Sequence, residues 1–248
     1  LKVTEHLRAS VDITIAIIPQ RQIMIKEKFL NFFSMKLIHF SVVTSIYLLH
    51  PAHAGHMQKL LPQSQLKKIQ RDYNHEISER FSAWDDLLLS SKNKTVVKKL
   101  DLVNDFFNQM KWVNDKELWN AKDYWATPIE SLIRNAGDCE DFSIAKYFTL
   151  LELGVPIEKL KISYVKIIGM DQSHMVLAYY SNPDADPWIM DNINKKVLRS
   201  SQRTDLQPMF NFNSEGVWAQ DNPHVRLDAV TKIKHWSELV KRMDDEKS

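Results

Sequence analysis

Cys139 is the single cysteine of a 248-residue chain. It sits in Gly137-Asp138-Cys139-Glu140-Asp141, at the expected start of a helix. His174 and Asp191 follow in the chain, each beside a segment expected to form a strand. That order suits a thiol nucleophile, an imidazole that takes its proton and a carboxylate that orients the imidazole. A thiol attacks as the thiolate, and ordinary cysteine is mostly protonated at neutral pH. A helix N-terminus offers unpaired N–H groups and partial positive charge that favour the thiolate, and an imidazole in reach can form an ion pair with it. The bland alternatives stand beside this one. Most free cysteines are inert and buried, His174 is one of nine histidines, and Asp191-Asn192 also reads as a turn.

The acids around the thiol carry a second message. One or two carboxylates in a first helical turn simply complement the helix dipole. Asp138, Glu140 and Asp141 together surround the thiol, and three negative charges raise its pKa and oppose its ionisation. A bound hard cation resolves that conflict. Ca²⁺ takes several carboxylate and carbonyl oxygens in flexible geometry, whereas Mg²⁺ keeps more of its own water. Asn114, Asp115 and Asp123 can add oxygens, and nothing in the sequence picks among them.

These groups need elements to hold them. Thr127-Pro128-Ile129-Glu130 is a capping box with proline at the first helical position, and it opens a short helix toward Arg134. Asn135-Ala136-Gly137 breaks that helix. A second helix starts at Asp138 or Cys139 with Phe142, Ile144, Ala145, Tyr147, Phe148, Leu150 and Leu151. It is apolar on nearly every face, so it is expected to be a buried central helix. Gly154 and Pro156 end it. Strands are expected at Lys161–Ile168, Ser173–Tyr180, Trp188–Met190 and Val197-Leu198. A loop containing Trp218 and a terminal helix over Val230–Val240 follow. If the second and third strands are antiparallel, the end of one lies beside the start of the other, which brings Asp191 toward His174.

Upstream, residues 55–118 read as a helical lobe, with apolar stripes from Leu60 to Trp84 and from Val96 to Met110 and a break over Ser90–Lys94. Met35-Lys36 opens a short basic region; Leu37–Leu49 is mostly apolar, and Ala52-His53-Ala54 has the small-x-small form of a signal-peptidase site. Residues 35–54 therefore read as a signal peptide and not a membrane span. The mature chain is expected to begin near Gly55, and residues 1–34 are read as an untranslated or non-native leader, with Met24 as a second candidate start. Export gives the lone cysteine weight, because a secreted chain usually spends cysteines on disulfides and this one has no partner. Ca²⁺ is also plentiful outside the cytoplasm. The chain is 44% hydrophobic and 26% charged, an ordinary globular balance, and its net charge of +2 gives no case for nucleic acid.

Residues from about 120 to 218 resemble the bacterial transglutaminase-like cysteine proteinases, the LapG-type periplasmic proteases. The stretches that carry the resemblance are Asp123 through Glu130, Gly137 through Phe142 with Ala145-Lys146-Tyr147, His174 through Leu177, Pro187 through Asn192, and Arg203 through Leu206. The cysteine stretch is specific; the others gain force from their order.

The resemblance implies an α+β fold with a papain-like or transglutaminase-like core, a central helix packed on an antiparallel sheet, over residues 119–248. It implies Cys139, His174 and Asp191 as the triad and a calcium site on Asp138 and Glu140, with Asp141 a further candidate. Proteases of this kind cut a large surface adhesin near its N-terminus, between small residues of the Ala-Ala type, and so control biofilm attachment. They are held inactive by an inner-membrane receptor for cyclic di-GMP. Two rival functions share the machinery: an acyltransferase in which an amine replaces water, and a silent module that only binds peptide.

Overall fold

A computed structural model describes residues 63–170, 173–219 and 226–246. The expected leader, the signal peptide and the start near Gly55 lie outside the described residues. The described residues fall within one compact unit.

The fold is built around α6 (Cys139–Glu152). All its residues from Asp141 to Leu151 are buried, as a helix apolar on nearly every face demands. Gly154, at φ 77°, follows its end in the left-handed conformation that ends many helices. The helix lies against β3 (Leu160–Ile167) and β4 (Ser173–Tyr179). These belong to a seven-stranded sheet with β5 (Trp188–Met190), β6 (Leu198–Arg199), β7 (Leu206–Asn213), β8 (Gly216–Ala219) and β9 (Arg226–Asp228), in the order β6-β5-β4-β3-β7-β8-β9. Every neighbouring pair is antiparallel. Period-two alternation divides the strands between two cores. Ile162, Met175, Leu177, Tyr179 and Phe212 join the core around α6, and Val165, Val176, Ala178 and Ile189 form a smaller cluster.

The fold matches the expected α+β architecture, and the sheet is larger than the sequence suggests. Residues 206–219, expected as loop, form β7 and β8. Pro208 and two buried asparagines disguise β7. Pro208 sits where the β3–β7 register shifts, a position that tolerates proline inside a sheet. Asn211 accepts from Ser163 Oγ at 2.6 Å, and Asn213 Nδ2 donates to the Ile157 and Leu160 carbonyls at 3.0 Å. Phe212, fully buried, stands between them with its ring centroid 5.6 Å from those of Trp125 and Trp236. Phe212→Ala is expected to cost about 3–5 kcal/mol of stability. Urea unfolding checks this, and a loss under about 1 kcal/mol would mean that the site collapses to fill the cavity.

Three helices form a lobe beside α6: α3 (Val96–Phe107) packs on it, α2 (His75–Ser91) on α3, and α1 (Gln63–Asp72) on α2. The expected break over Ser90–Lys94 separates α2 from α3. A further break falls before α2, where the Asn74 side chain caps the helix by accepting from the Ile77 N–H at 3.0 Å. The lobe shares one apolar core with α6. Trp84 Nε1 donates to Thr149 Oγ1 at 3.1 Å, and Lys99 Nζ to the Leu153 carbonyl at 2.7 Å. Among the described residues, no helix is long and apolar enough to cross a membrane.

The remaining elements frame the start of α6. They are β1 (Lys111–Trp112), α4 (Asp115–Leu118), α5 (Pro128–Arg134), β2 (Ala136–Gly137) and the C-terminal α7 (Lys234–Asp245). A short 3-10 turn at Val230–Lys232 precedes α7, so the terminal helix begins and ends later than the sequence suggests.

Candidate active site

The approach to Cys139 is fixed by local chemistry. Thr127 and Glu130 form the expected capping box on α5, with Pro128 at its first turn. Asn135 ends α5 at φ 51°, a left-handed conformation that asparagine tolerates. The chain then pairs in parallel with β1, and the Val113 N–H donates to the Gly137 carbonyl at 3.0 Å. Gly137 passes so close to Asp141 that an added Cβ would lie 2.6 Å from the Asp141 side chain. Cys139 thus opens α6 directly beyond a clamped strand, and the residue is half-buried.

His174 and Asp191 meet as the antiparallel register of β4 and β5 suggests. The His174 Nε2 to Asp191 Oδ1 distance is 2.8 Å, and both side chains are buried. That bond leaves Nδ1 as the ring atom able to serve another group. Asp191 Oδ1 also accepts from the Ile193 N–H at 3.0 Å, and Oδ2 accepts from Arg203 at 2.7 Å. Burial opposes the Asp191 charge, but His174, the Ile193 N–H and Arg203 outweigh it and hold the carboxyl well below the usual range. Arg203 is itself buried and also bonds Asp205.

The Arg203 pair has a consequence in acid. A carboxyl whose folded pKa is depressed adds stability above its unfolded value, about 4, and loses that stability as pH falls toward the folded value. Removing Arg203 takes away part of the depression, so the contribution is smaller and is exhausted at a higher pH. Arg203→Met is expected to raise the midpoint of acid unfolding followed by circular dichroism. An unchanged midpoint would show that Arg203 does not hold the Asp191 charge.

The thiol donates to Glu140 Oε2 at 3.0 Å. Burial pushes the Cys139 pKa up, the charges of Glu140 and Asp138 push it further, and the Met175 backbone N–H pulls it back a little. The helix that Cys139 opens packs against β4, the strand that carries His174. Among the described residues no hydrogen bond joins Cys139 to His174.

Asp138 and Glu140 come together with Asp115 from α4. One carboxylate oxygen from each lies within 4.8 Å of the others, a group able to hold a metal ion. Asp141, grouped with them in the sequence, turns elsewhere. It is fully buried and accepts from the Ala126 N–H at 2.7 Å and the Asp138 N–H at 3.3 Å. Its carboxylate ties the α5 approach to the start of α6. Burial and mutual repulsion raise the carboxyl pKa values, Asp115 to about 6, Glu140 to about 7 and Asp138 to about 10. Asp115 Oδ1 and Asp138 Oδ1 are buried with no hydrogen-bond partner among the described residues, and Asp123 Oδ1 is a third such atom. Buried carboxylate oxygens without donors are costly. Oxygens in this arrangement suit a hard cation such as Ca²⁺. Sequence spacing alone could not choose Asp115, because it reaches the site through α4 and not through the cysteine turn.

The fold agrees with what comparison shows. The profile of the bacterial transglutaminase-like cysteine proteinases, BTLCP, matches residues 69–220. The solved structure of Legionella pneumophila LapG, EGTA-treated, is 38% identical and superposes with a TM-score of 0.68, covering 75% of this chain and 100% of that one. Calcium-bound Legionella pneumophila LapG is 39% identical with a TM-score of 0.65, covering 73% and 98%. Comparison with curated proteins gives no match. The chain belongs to the bacterial transglutaminase-like cysteine proteinases.

Proposed function

We propose that the chain is a calcium-dependent cysteine endopeptidase of the LapG type that works in the periplasm. The carrying observation is the buried His174–Asp191 bond, with His174 on β4, the strand packed against the helix that Cys139 opens. In this reading Cys139 attacks the scissile carbonyl, and His174 takes the thiol proton and later gives it to the leaving amine. Asp191 holds the imidazole with Nε2 toward itself, which leaves Nδ1 for the thiol. The backbone N–H of Cys139, at a helix start, is an oxyanion donor.

Asp115, Asp138 and Glu140 would hold Ca²⁺. The neighbouring LapG structure in its calcium-bound form and the unpartnered carboxylate oxygens support that assignment. Bound there, the ion supplies positive charge that offsets the carboxylates crowding the thiol. Asp141 acts beside the site by fixing the helix start.

The substrate is a large surface adhesin, cut near its N-terminus between small residues of the Ala-Ala type. The inhibitor is the periplasmic domain of an inner-membrane receptor for cyclic di-GMP, and the outcome is control of biofilm attachment. The resemblance of the cysteine and histidine stretches to the LapG-type proteases supports this reading. To test it, purified protein is incubated in Ca²⁺ with the N-terminal fragment of a candidate adhesin, and the products are weighed by mass spectrometry. Two fragments whose new ends flank a pair of small residues are expected. With a primary amine included, an intact fragment heavier by the mass of that amine less the ammonia it displaces would assign the chain to acyl transfer.

Export carries its own expectation, from the basic, apolar and small-x-small order of residues 35–54. Protein recovered from the envelope should begin at or near Gly55. N-terminal sequencing that finds residues 35–54 intact on the folded envelope protein would contradict it.

A further inference from the structure

Lys146 is 1% exposed, deep on the central helix and about two turns beyond Cys139 on the same face. Its Nζ donates to Asn108 Oδ1 at 2.8 Å, and its ammonium lies 5.6 Å from the Phe142 ring centroid. Asn108 caps the end of α3, and its Nδ2 donates to the Asp191 backbone carbonyl at 2.8 Å. One helical turn earlier, Asn104 Nδ2 donates to the Lys195 carbonyl at 2.8 Å. Two asparagines of α3 therefore hold the chain that leaves β5 at Asp191.

A lysine ammonium has three donors and no acceptor, so it can face only the oxygen of the Asn108 amide. That fixes which way the amide points and commits its NH₂ to Asp191. Without the lysine, the amide could turn over and set its oxygen against the Asp191 carbonyl. Burying a lysine is unfavourable. Burial pulls its pKa down to about 7, against the opposing charges of Asp191 and Asp105. An apolar side chain of similar length would fill the space with less penalty. What Lys146 adds is donor chemistry aimed at a single atom.

We infer that Lys146 and Asn108 are a positioning pair for Asp191, holding its backbone so that its carboxylate keeps the His174 imidazole aligned for Cys139. The inference rests on the reading of Cys139, His174 and Asp191 as the catalytic group. Neither residue touches substrate, and each acts through Asp191.

The test uses the full chain loaded with Ca²⁺ and a fluorogenic peptide containing an Ala-Ala bond, with four proteins compared: wild type, Lys146→Met, Asn108→Asp and Asp191→Ala. Asn108→Asp is the sharper variant. It keeps an acceptor for Lys146, now as an ion pair, and removes the donor to Asp191. Lys146→Met and Asn108→Asp are each expected to lose on the order of 10- to 100-fold in kcat, as a small misplacement of a catalytic group does, with KM within about twofold of wild type, whereas Asp191→Ala should be inactive. The low-field proton resonance of the His174–Asp191 hydrogen bond should shift or broaden in both. If Lys146→Met fails to fold, Asn108→Asp decides alone. Wild-type kcat and an unmoved resonance in Asn108→Asp, with Asp191→Ala inactive, would overturn the inference and leave the pair as a tie between α3 and α6. Full activity in Asp191→Ala would instead overturn the underlying triad.

Discussion

Cys139→Ala is expected to abolish peptide hydrolysis while leaving the melting temperature close to that of the wild type. Cys139 is half-buried at the first turn of α6 and its side chain is small, so little packing is lost with it. His174→Ala should be nearly as severe, because the thiol then has no base. Losses of about 10²-fold or more fit these roles. Asp191→Asn is informative in a different way. From sequence alone it looks milder, since an amide keeps one acceptor. The structure sets donors against both carboxylate oxygens, His174 and the Ile193 N–H at Oδ1 and Arg203 at Oδ2. An amide can accept at one position only, and its NH₂ must then face a donor at the other. Asp191→Asn is therefore expected to approach His174→Ala in its loss of kcat. Steady-state kinetics with calorimetric melting of each variant checks this, and near-normal hydrolysis by Cys139→Ala would end the account of the thiol.

Chelation is expected to have the next largest effect. Stripped of divalent cations, the protein should lose most of its activity and regain it with Ca²⁺ better than with Mg²⁺, since several carboxylate oxygens in irregular geometry suit the larger ion. Ca²⁺ should also raise the melting temperature, because a ligand of the native state stabilises it by mass action. The substitutions should divide by place. Asp115→Ala, Asp138→Ala and Glu140→Ala remove oxygens from the cluster and should abolish the heat of Ca²⁺ binding. Asp141→Ala strips the Ala126 and Asp138 N–H groups of their acceptor and should lower the melting temperature even in chelator. Titration calorimetry alongside scanning calorimetry separates the two classes. Ca²⁺ heat retained in Asp115→Ala and lost in Asp141→Ala would restore Asp141 as the ligand and dismiss Asp115.

Much of the scaffold is legible in the residues because it follows local rules. The Thr127–Glu130 capping box, Pro128, the left-handed Gly154 and the apolar run of α6 each announce an element boundary or a burial state through the chain's own chemistry. The His174–Asp191 meeting follows from two short apolar strands and the antiparallel rule. What stays hidden depends on tertiary partners. β7 places Asn211 and Asn213 in the interior, where Ser163 and two backbone carbonyls satisfy them, and asparagine and proline are disfavoured in strands, so the segment does not read as one. Phe210 and Phe212 were the surviving signal. Asp115 joins the carboxylate group only because α4 folds back on the α6 turn. The supports of Asp191, namely Arg203, Asn108 and Lys146, come from three separate elements, and no spacing in the chain connects them.

The central claim is that this chain, loaded with Ca²⁺, cuts a surface polypeptide through Cys139. The most direct measurement is mass spectrometry of material released from a cell-surface fraction by the wild type and by Cys139→Ala, each with Ca²⁺ and with chelator. The account predicts one large polypeptide released by the wild type in Ca²⁺ alone, carrying a new N-terminus at a small residue. The same release by Cys139→Ala, or by the wild type in chelator, would contradict it.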